Sequence, residues 1–116
     1  MKHIFKLSEL PKLAVPSDLF NVRFIHADSV TVAFNELKIV AEVPSHQHIH
    51  ETIDFVQEGM LQMTIGDETV EMNAGSVARV PSNVWHGAKA LSDCKVINFF
   101  YPVRDDFSAA TSSPTT

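Results

Sequence analysis

Three histidines in two short stretches carry the chemistry legible in this chain. His46 and His48 flank Gln47, His50 and Glu51 follow directly, and His86 stands 38 residues beyond His48 in Pro81-Ser82-Asn83-Val84-Trp85-His86. Imidazole nitrogen is a good ligand for borderline divalent metals. A strand points residues i and i+2 to one face, about 7 Å apart along the chain. The rings of His46 and His48 can therefore converge on one point, and His86 can reach it from another strand. His50 offers a fourth nitrogen by the same alternation, while Glu51 is turned away. Cys94, between Asp93 and Lys95, has no visible partner for nucleophilic work and reads as inert.

Short strands must hold these side chains. Val, Ile and Phe dominate Val22 to His26, Val30 to Phe34 and Leu37 to Val43, with no helical period. His46 to His50 reads as the end of a strand and Thr52 to Gln57 as the next, broken by Gly59. Met60 to Ile65 and Thr69 to Met72 flank a hairpin turn at Gly66-Asp67. Val77 to Val80, Val84 to Ala88 and Lys95 to Tyr101 supply the rest. About nine or ten short strands without a long helix predict an all-β fold, an antiparallel sandwich or barrel. Residues 1–21, punctuated by Pro11 and Pro16, form an irregular N-terminal segment that lies across the barrel or a partner subunit. The barrel spans 22–107, and the small polar tail 108–116 is predicted to be disordered.

The chain has 116 residues, one domain's worth, and a net charge of -5 with the two signs interspersed. Without a basic run, nucleic acid and anionic membrane are poor partners. The single cysteine allows no internal disulfide. No stretch approaches the ~20 apolar residues of a membrane helix, and the start is too often charged for a secretory segment. A cytoplasmic protein is expected.

The spacing of these residues resembles the two motifs of the cupin superfamily. His46-x-His48 and Gly59 fit the first motif, with Val40 at its opening glycine and Thr52 at its acid or amide position. Gly75, Pro81 and His86 fit the second, with Asn83 at the internal glycine and Ala90 at the final Asn. The match runs from about residue 30 to 107 and implies a jelly-roll barrel, a double-stranded β-helix. It also implies a divalent metal held by His46, His48, His86 and the residue at position 52. Threonine there is a poor ligand, which leaves three neutral imidazoles and favours an anionic ligand beside the ion. His46 to Thr52 resembles the His-x-His-x-His-Glu-Gln form of small single-domain cupins. Asn98-Phe99-Phe100-Tyr101-Pro102-Val103-Arg104-Asp105-Asp106-Phe107 resembles their C-terminal signature, Asp-x-Phe-x-Pro-x-Arg-x-Asp-Phe. Some of these cupins, those of pectin degradation, linearise unsaturated uronates, and the Asp, Phe and Arg of that signature line their active site. Carried across, these roles fall on Asn98, which cannot act as a base, on Phe100 and on Arg104.

The resulting expectation is a metal-binding cupin with one divalent ion, Zn, Ni, Fe or Mn, that isomerises or linearises a sugar acid or another small carboxylate. Arg104 would hold the carboxylate by a forked pair of bonds, in competition with Asp105 and Asp106. Phe100 and Trp85 would wall the pocket. A non-catalytic binding or sensing cupin and a metal-dependent dioxygenase are the alternatives. The apolar residues of the N-terminal segment, Ile4, Phe5, Leu7, Leu10, Leu13 and Leu19, predict a homodimer.

Overall fold

The computed structural model describes residues 2–106. Phe107, which closes the C-terminal signature, and the tail 108–116 lie outside the described residues. A short 3-10 turn, Leu7–Glu9, precedes nine strands: β1 Phe20–His26, β2 Thr31–Leu37, β3 Glu42–His46, β4 Glu51–Glu58, β5 Met60–Ile65, β6 Glu68–Asn73, β7 Val77–Val80, β8 His86–Ala90 and β9 Cys94–Tyr101. They form two antiparallel sheets, ordered β1-β2-β9-β4-β7 and β3-β8-β5-β6. This is the expected jelly roll. No helix among the described residues is long and apolar enough to cross a membrane.

Period-2 alternation builds the interior. On β4, Thr52, Asp54 and Val56 are buried while Glu51, Ile53 and Gln57 face out. On β9, Cys94, Val96 and Phe100 are buried, and Phe99 and Tyr101 are exposed. The main core joins both sheets through Leu37, Val56, Leu61, Met63, Met72, Val80 and Val96. A second cluster of Val22, Phe24, Ala33 and Phe100 fills the β1–β2 end. Met63 and Met72 are thus core residues, where a flexible thioether chain fills irregular gaps.

The structure corrects the strand boundaries where the backbone turns. The apolar run from Leu37 to Val43 is not one strand. Lys38 to Ala41 form a turn in which Val40 takes φ 68° and Ala41 N–H donates to Lys38 O at 3.0 Å. Nor does a strand continue from His46 to His50: β3 stops at His46 and residues 47–50 form a loop. The N-terminal segment is partly docked. Leu13 N–H donates to Val22 O at 2.8 Å, Phe24 N–H donates to Pro11 O at 3.1 Å, and Lys12 bridges Arg23. Residues 10–13 therefore run along the edge of β1, with Leu10 buried, while Ile4, Phe5 and Leu7 stay exposed.

Gly59 shows why a motif glycine is needed. It has φ 84°, and a Cβ there would collide with Asp93 O and approach Cys94 Cβ to 2.7 Å. The turn from β4 into β5 passes too close to the start of β9 for any side chain.

Candidate functional site

The histidines reach one point from two adjoining segments. His46 ends β3 and pairs in register with His86, the first residue of β8. His48 lies in the loop beyond β3. That loop is tied to the turn before β8: Asn83 N–H donates to His48 O at 2.8 Å and Ser82 Oγ donates to Ile49 O at 2.6 Å. Ring centroids are 4.3 Å apart for His46 and His86, 4.8 Å for His48 and His86, and 5.4 Å for His46 and His48. One ring nitrogen from each lies within 4.8 Å of the others.

Each imidazole is held by a backbone carbonyl. His46 Nδ1 meets Pro44 O at 2.9 Å, His48 Nδ1 meets His50 O at 3.0 Å and His86 Nδ1 meets Val84 O at 2.8 Å. A carbonyl only accepts, so each Nδ1 carries the proton and each Nε2 keeps its lone pair. Fixing tautomer and ring plane in this way is how proteins prepare histidine for a metal. Burial pushes His48 down to about 4, helped by the Arg104 guanidinium and the neighbouring rings. Burial also lowers His86, with smaller contributions from His46 and Arg104. Rings anchored through Nδ1, with their Nε2 lone pairs free to ligate, fit a borderline divalent ion.

His50 does not join this group. Its ring is buried beside His48, at 5.4 Å, and Phe100, at 6.4 Å, and its Nδ1 has no hydrogen-bond partner. It contributes its backbone carbonyl, which orients His48. Glu51 faces outward and pairs with Arg79 at 3.3 Å. Thr52 is buried at the cavity wall, its hydroxyl unpartnered.

The three rings open into a cavity of about 480 Å³ between the sheets. Its walls are largely apolar, with Leu61, Met63 and Val96 inside and Leu13 and Val15 of the N-terminal segment at one side. Phe100 is buried in this wall, and the Arg104 guanidinium stacks over it at 4.7 Å from the ring centre. Arg104 Nε and Nη2 grip the Asp106 carboxylate at 2.9 and 2.7 Å. That pair holds Asp106 below the usual carboxylate range. Trp85 does not wall the cavity. It is 55% exposed, because the chain turns outward just before β8.

One acidic side chain of the cavity is absent from the motif positions. Asp54 lines the same cavity at 4% exposure, and Asn98 Nδ2 donates to its Oδ1 at 2.6 Å. Burial pushes its carboxyl up to about 6, against the opposing effect of that hydrogen bond. The signal was present: if Thr52 faces inward, so does position 54.

Comparison with known proteins agrees with this architecture. The cupin domain family matches residues 36–100. An uncharacterized protein of Streptomyces coelicolor is 28% identical over 99 residues, covering 84% of this chain and 94% of that one. The structure of KdgF from a Halomonas species superposes with a TM-score of 0.81 at 25% identity, covering 91% of this chain and 98% of its own. An RmlC-like cupin from Shewanella frigidimarina superposes with a TM-score of 0.83 at 21% identity, covering 92% and 96%. With two antiparallel sheets, both histidine stretches on adjoining segments and a family match over more than half its length, the chain belongs to the cupin family.

Proposed function

We propose that this cupin binds one divalent metal ion through His46, His48 and His86 and isomerises a small carboxylate, a sugar acid being the favoured class. The observation that carries this reading is one cavity lined both by three Nδ1-anchored imidazoles and by a buried guanidinium. Zn, Ni, Fe and Mn all accept such nitrogens. A metal held there supplies Lewis-acid polarisation of a carbonyl or hydroxyl. The chain's own side chains supply the remainder. Arg104, kept planar against Phe100, holds a carboxylate, which displaces Asp106 or shares the guanidinium with it. The apolar walls exclude water and strengthen these charge interactions. Cys94, the chain's one thiol, does not line the cavity, so isomerisation suits the equipment better than thiol chemistry. The C-terminal stretch resembling the signature of uronate-linearising cupins, with Asn98 in place of its Asp, supports a sugar acid. The likeness to KdgF along 98% of that chain supports a small single-domain cupin.

The internal Arg104–Asp106 pair favours a second reading, a non-catalytic cupin that holds its ligand without turning it over. Metal analysis of untagged protein tests the part common to both. About one divalent ion per chain is expected, with uptake largely lost in His86→Ala and unchanged in His3→Ala. Equal uptake by both variants would remove the assignment. Turnover of an unsaturated uronate then separates enzyme from binding protein, and oxygen uptake would reveal a dioxygenase. Assembly as a homodimer belongs to the same proposal.

A further inference from the structure

A second polar construction shares the metal cavity. Asp54 stands on β4 directly across from Asn98 of β9 in the strand register. Asn98 also faces β2, where Asn35 Nδ2 donates to Asn98 Oδ1 at 2.6 Å and to Val96 O at 3.0 Å. An amide nitrogen only donates, so this contact sets the orientation of Asn98. Its Oδ1 must receive from Asn35, and its NH₂ must face Asp54. Three side chains on three neighbouring strands thereby aim one carboxyl group into the cavity. Its Oδ1 is held, whereas its Oδ2 has no hydrogen-bond partner among the described residues. The residue is 4% exposed and lines the cavity, so the surface this oxygen keeps is open to a ligand held there. Val56, two residues on, shows that an apolar side chain fills the same face of β4. The other acid lining the cavity, Glu42, is exposed.

We propose that Asp54 is the proton-transferring carboxylate of this cavity, acting on a small 2-oxo or enol carboxylate, with Asn98 as its positioning residue. This rests on the isomerase reading above. In the step inferred, Asp54 Oδ2 takes a proton from carbon next to a carbonyl. The C–H electron pair becomes the C=C bond of the enolate, and the carbonyl π pair moves onto oxygen. In the reverse sense the enol oxygen gives up its proton to water, the carbonyl re-forms, and the C=C pair takes a proton from Asp54 at that same carbon. Nothing is oxidised or reduced, no group leaves, and no co-reactant is required. The carboxylate of such a substrate meets Arg104, on the same cavity wall as Phe100.

Hydrogen exchange tests the step with the full chain loaded with zinc in D₂O. The probes are 2-oxobutanoate, followed by loss of its C3 proton signal, and a 4,5-unsaturated galacturonate, followed by its tautomerisation. Wild type should accelerate at least one of the two over zinc-containing buffer. Asp54→Asn, which keeps an acceptor for Asn98, should lose ~10²- to 10⁴-fold of that acceleration while binding zinc as wild type does. Asn98→Ala should lose less and shift the pH at which the rate is half-maximal. If wild type is active and Asp54→Asn equals it, the assignment of Asp54 is overturned and the isomerase reading stands. If wild type accelerates neither probe, the reading fails and the assignment with it. If Asp54→Asn loses zinc, Asp54 serves the metal site and the proposal is overturned. Should Asp54→Asn not fold, Asp54→Ser is put to the same comparison.

Discussion

At the scale of residues, Asp54 ionises at a cost to the fold. Its carboxyl is lifted from 3.8 to about 6 by burial. The folded chain therefore holds a proton that the unfolded chain has released across that interval. The stabilising contribution is complete below about 3.8 and is lost as pH rises through about 6. At 1.36 kcal/mol per unit, a shift of about 2 units costs about 3 kcal/mol. Asp54→Asn should thus be more stable than wild type by about 2–3 kcal/mol at pH 7.5, with the difference shrinking toward zero near pH 4. Urea unfolding at four pH values checks this, and a difference independent of pH would contradict it. His48 acts in the opposite sense. Its pKa is depressed to about 4, so its contribution is present above 6.5 and is lost as pH falls through about 4. Only the comparison between the two proteins isolates Asp54. The register also changes what Asn98→Asp would do. It would set a second carboxyl against Asp54, and the pair would share a proton rather than gain a simple base. Arg104→Ala should weaken binding of a small acid by ~10–150-fold, the worth of a charge-assisted pair of about 1.5–3 kcal/mol. Arg104→Lys should recover only part, because lysine lacks the planar fork. Calorimetry that finds no loss in either would remove Arg104 from the site.

At the scale of elements, the turns decide how closely the chain follows its family pattern. Val40 and Asn83 stand where the cupin motifs have glycine, and both have positive φ, 68° and 62°. Asparagine tolerates that region, whereas a β-branched residue there is strained. Left-handed geometry costs a non-glycine residue roughly 1–2 kcal/mol, and Val40 is 58% exposed, so it repays little by packing. Val40→Gly should raise stability by about 0.5–1 kcal/mol after the extra freedom of glycine in the unfolded chain is counted. A higher urea midpoint with an unchanged slope checks this. An unchanged or lower midpoint would mean that Val40 is not strained. Gly59→Ala should cost about 2 kcal/mol or more, since Asp93 O and Cys94 Cβ already fill the space. The same turns explain what could be read beforehand. Alternation made the strands of β4, β5 and β9 legible nearly to their ends. The break at Lys38 to Ala41 was hidden, because Ile39, Val40 and Ala41 look like strand and only the backbone reveals the turn. His46 and His48 were paired correctly by spacing although His48 sits beyond its strand. Loop hydrogen bonds, not the pleat, bring its ring in. His50 lies beside that group and not in it for the same reason, as alternation stops where the strand stops. Asp54 was legible from alternation, two residues beyond Thr52 on the same face of β4.

At the scale of the whole molecule, the outer face of the five-stranded sheet is unusually apolar. Cross-strand registers align Val32 with Phe99 and Phe99 with Ile53, and likewise Phe34 with Ile97, Ile97 with Phe55 and Phe55 with Val77. Ile53, Val77, Phe99 and Tyr101 are exposed. Leu7 of the N-terminal segment borders the same face, sharing a surface hollow with Phe34 and Ile97. A contiguous patch of this kind marks an interface, and a second copy of the chain, related by a two-fold axis, is its expected partner. Light scattering should give a dimer at micromolar concentration, and Phe99→Lys should give a folded monomer. A wild-type monomer would contradict the dimer, and a dimeric Phe99→Lys would move the interface elsewhere. The apolar N-terminal residues divide differently from the sequence reading. Leu10, Leu13 and Leu19 pack on the barrel, which leaves only Ile4, Phe5 and Leu7 for a partner.

The bond from the Asn83 amide to the His48 carbonyl turns one backbone proton into a clock. That proton meets solvent only when the β8 turn and the histidine loop separate, so its exchange rate counts those openings. Asn83 ligates nothing, yet it should record the arrival of an ion at rings it does not touch. A site assembled before the ion arrives would slow the clock little. A site that the ion itself draws together would slow it by orders of magnitude, and the ratio of the two rates measures how much of the metal's binding free energy goes into clamping the loop.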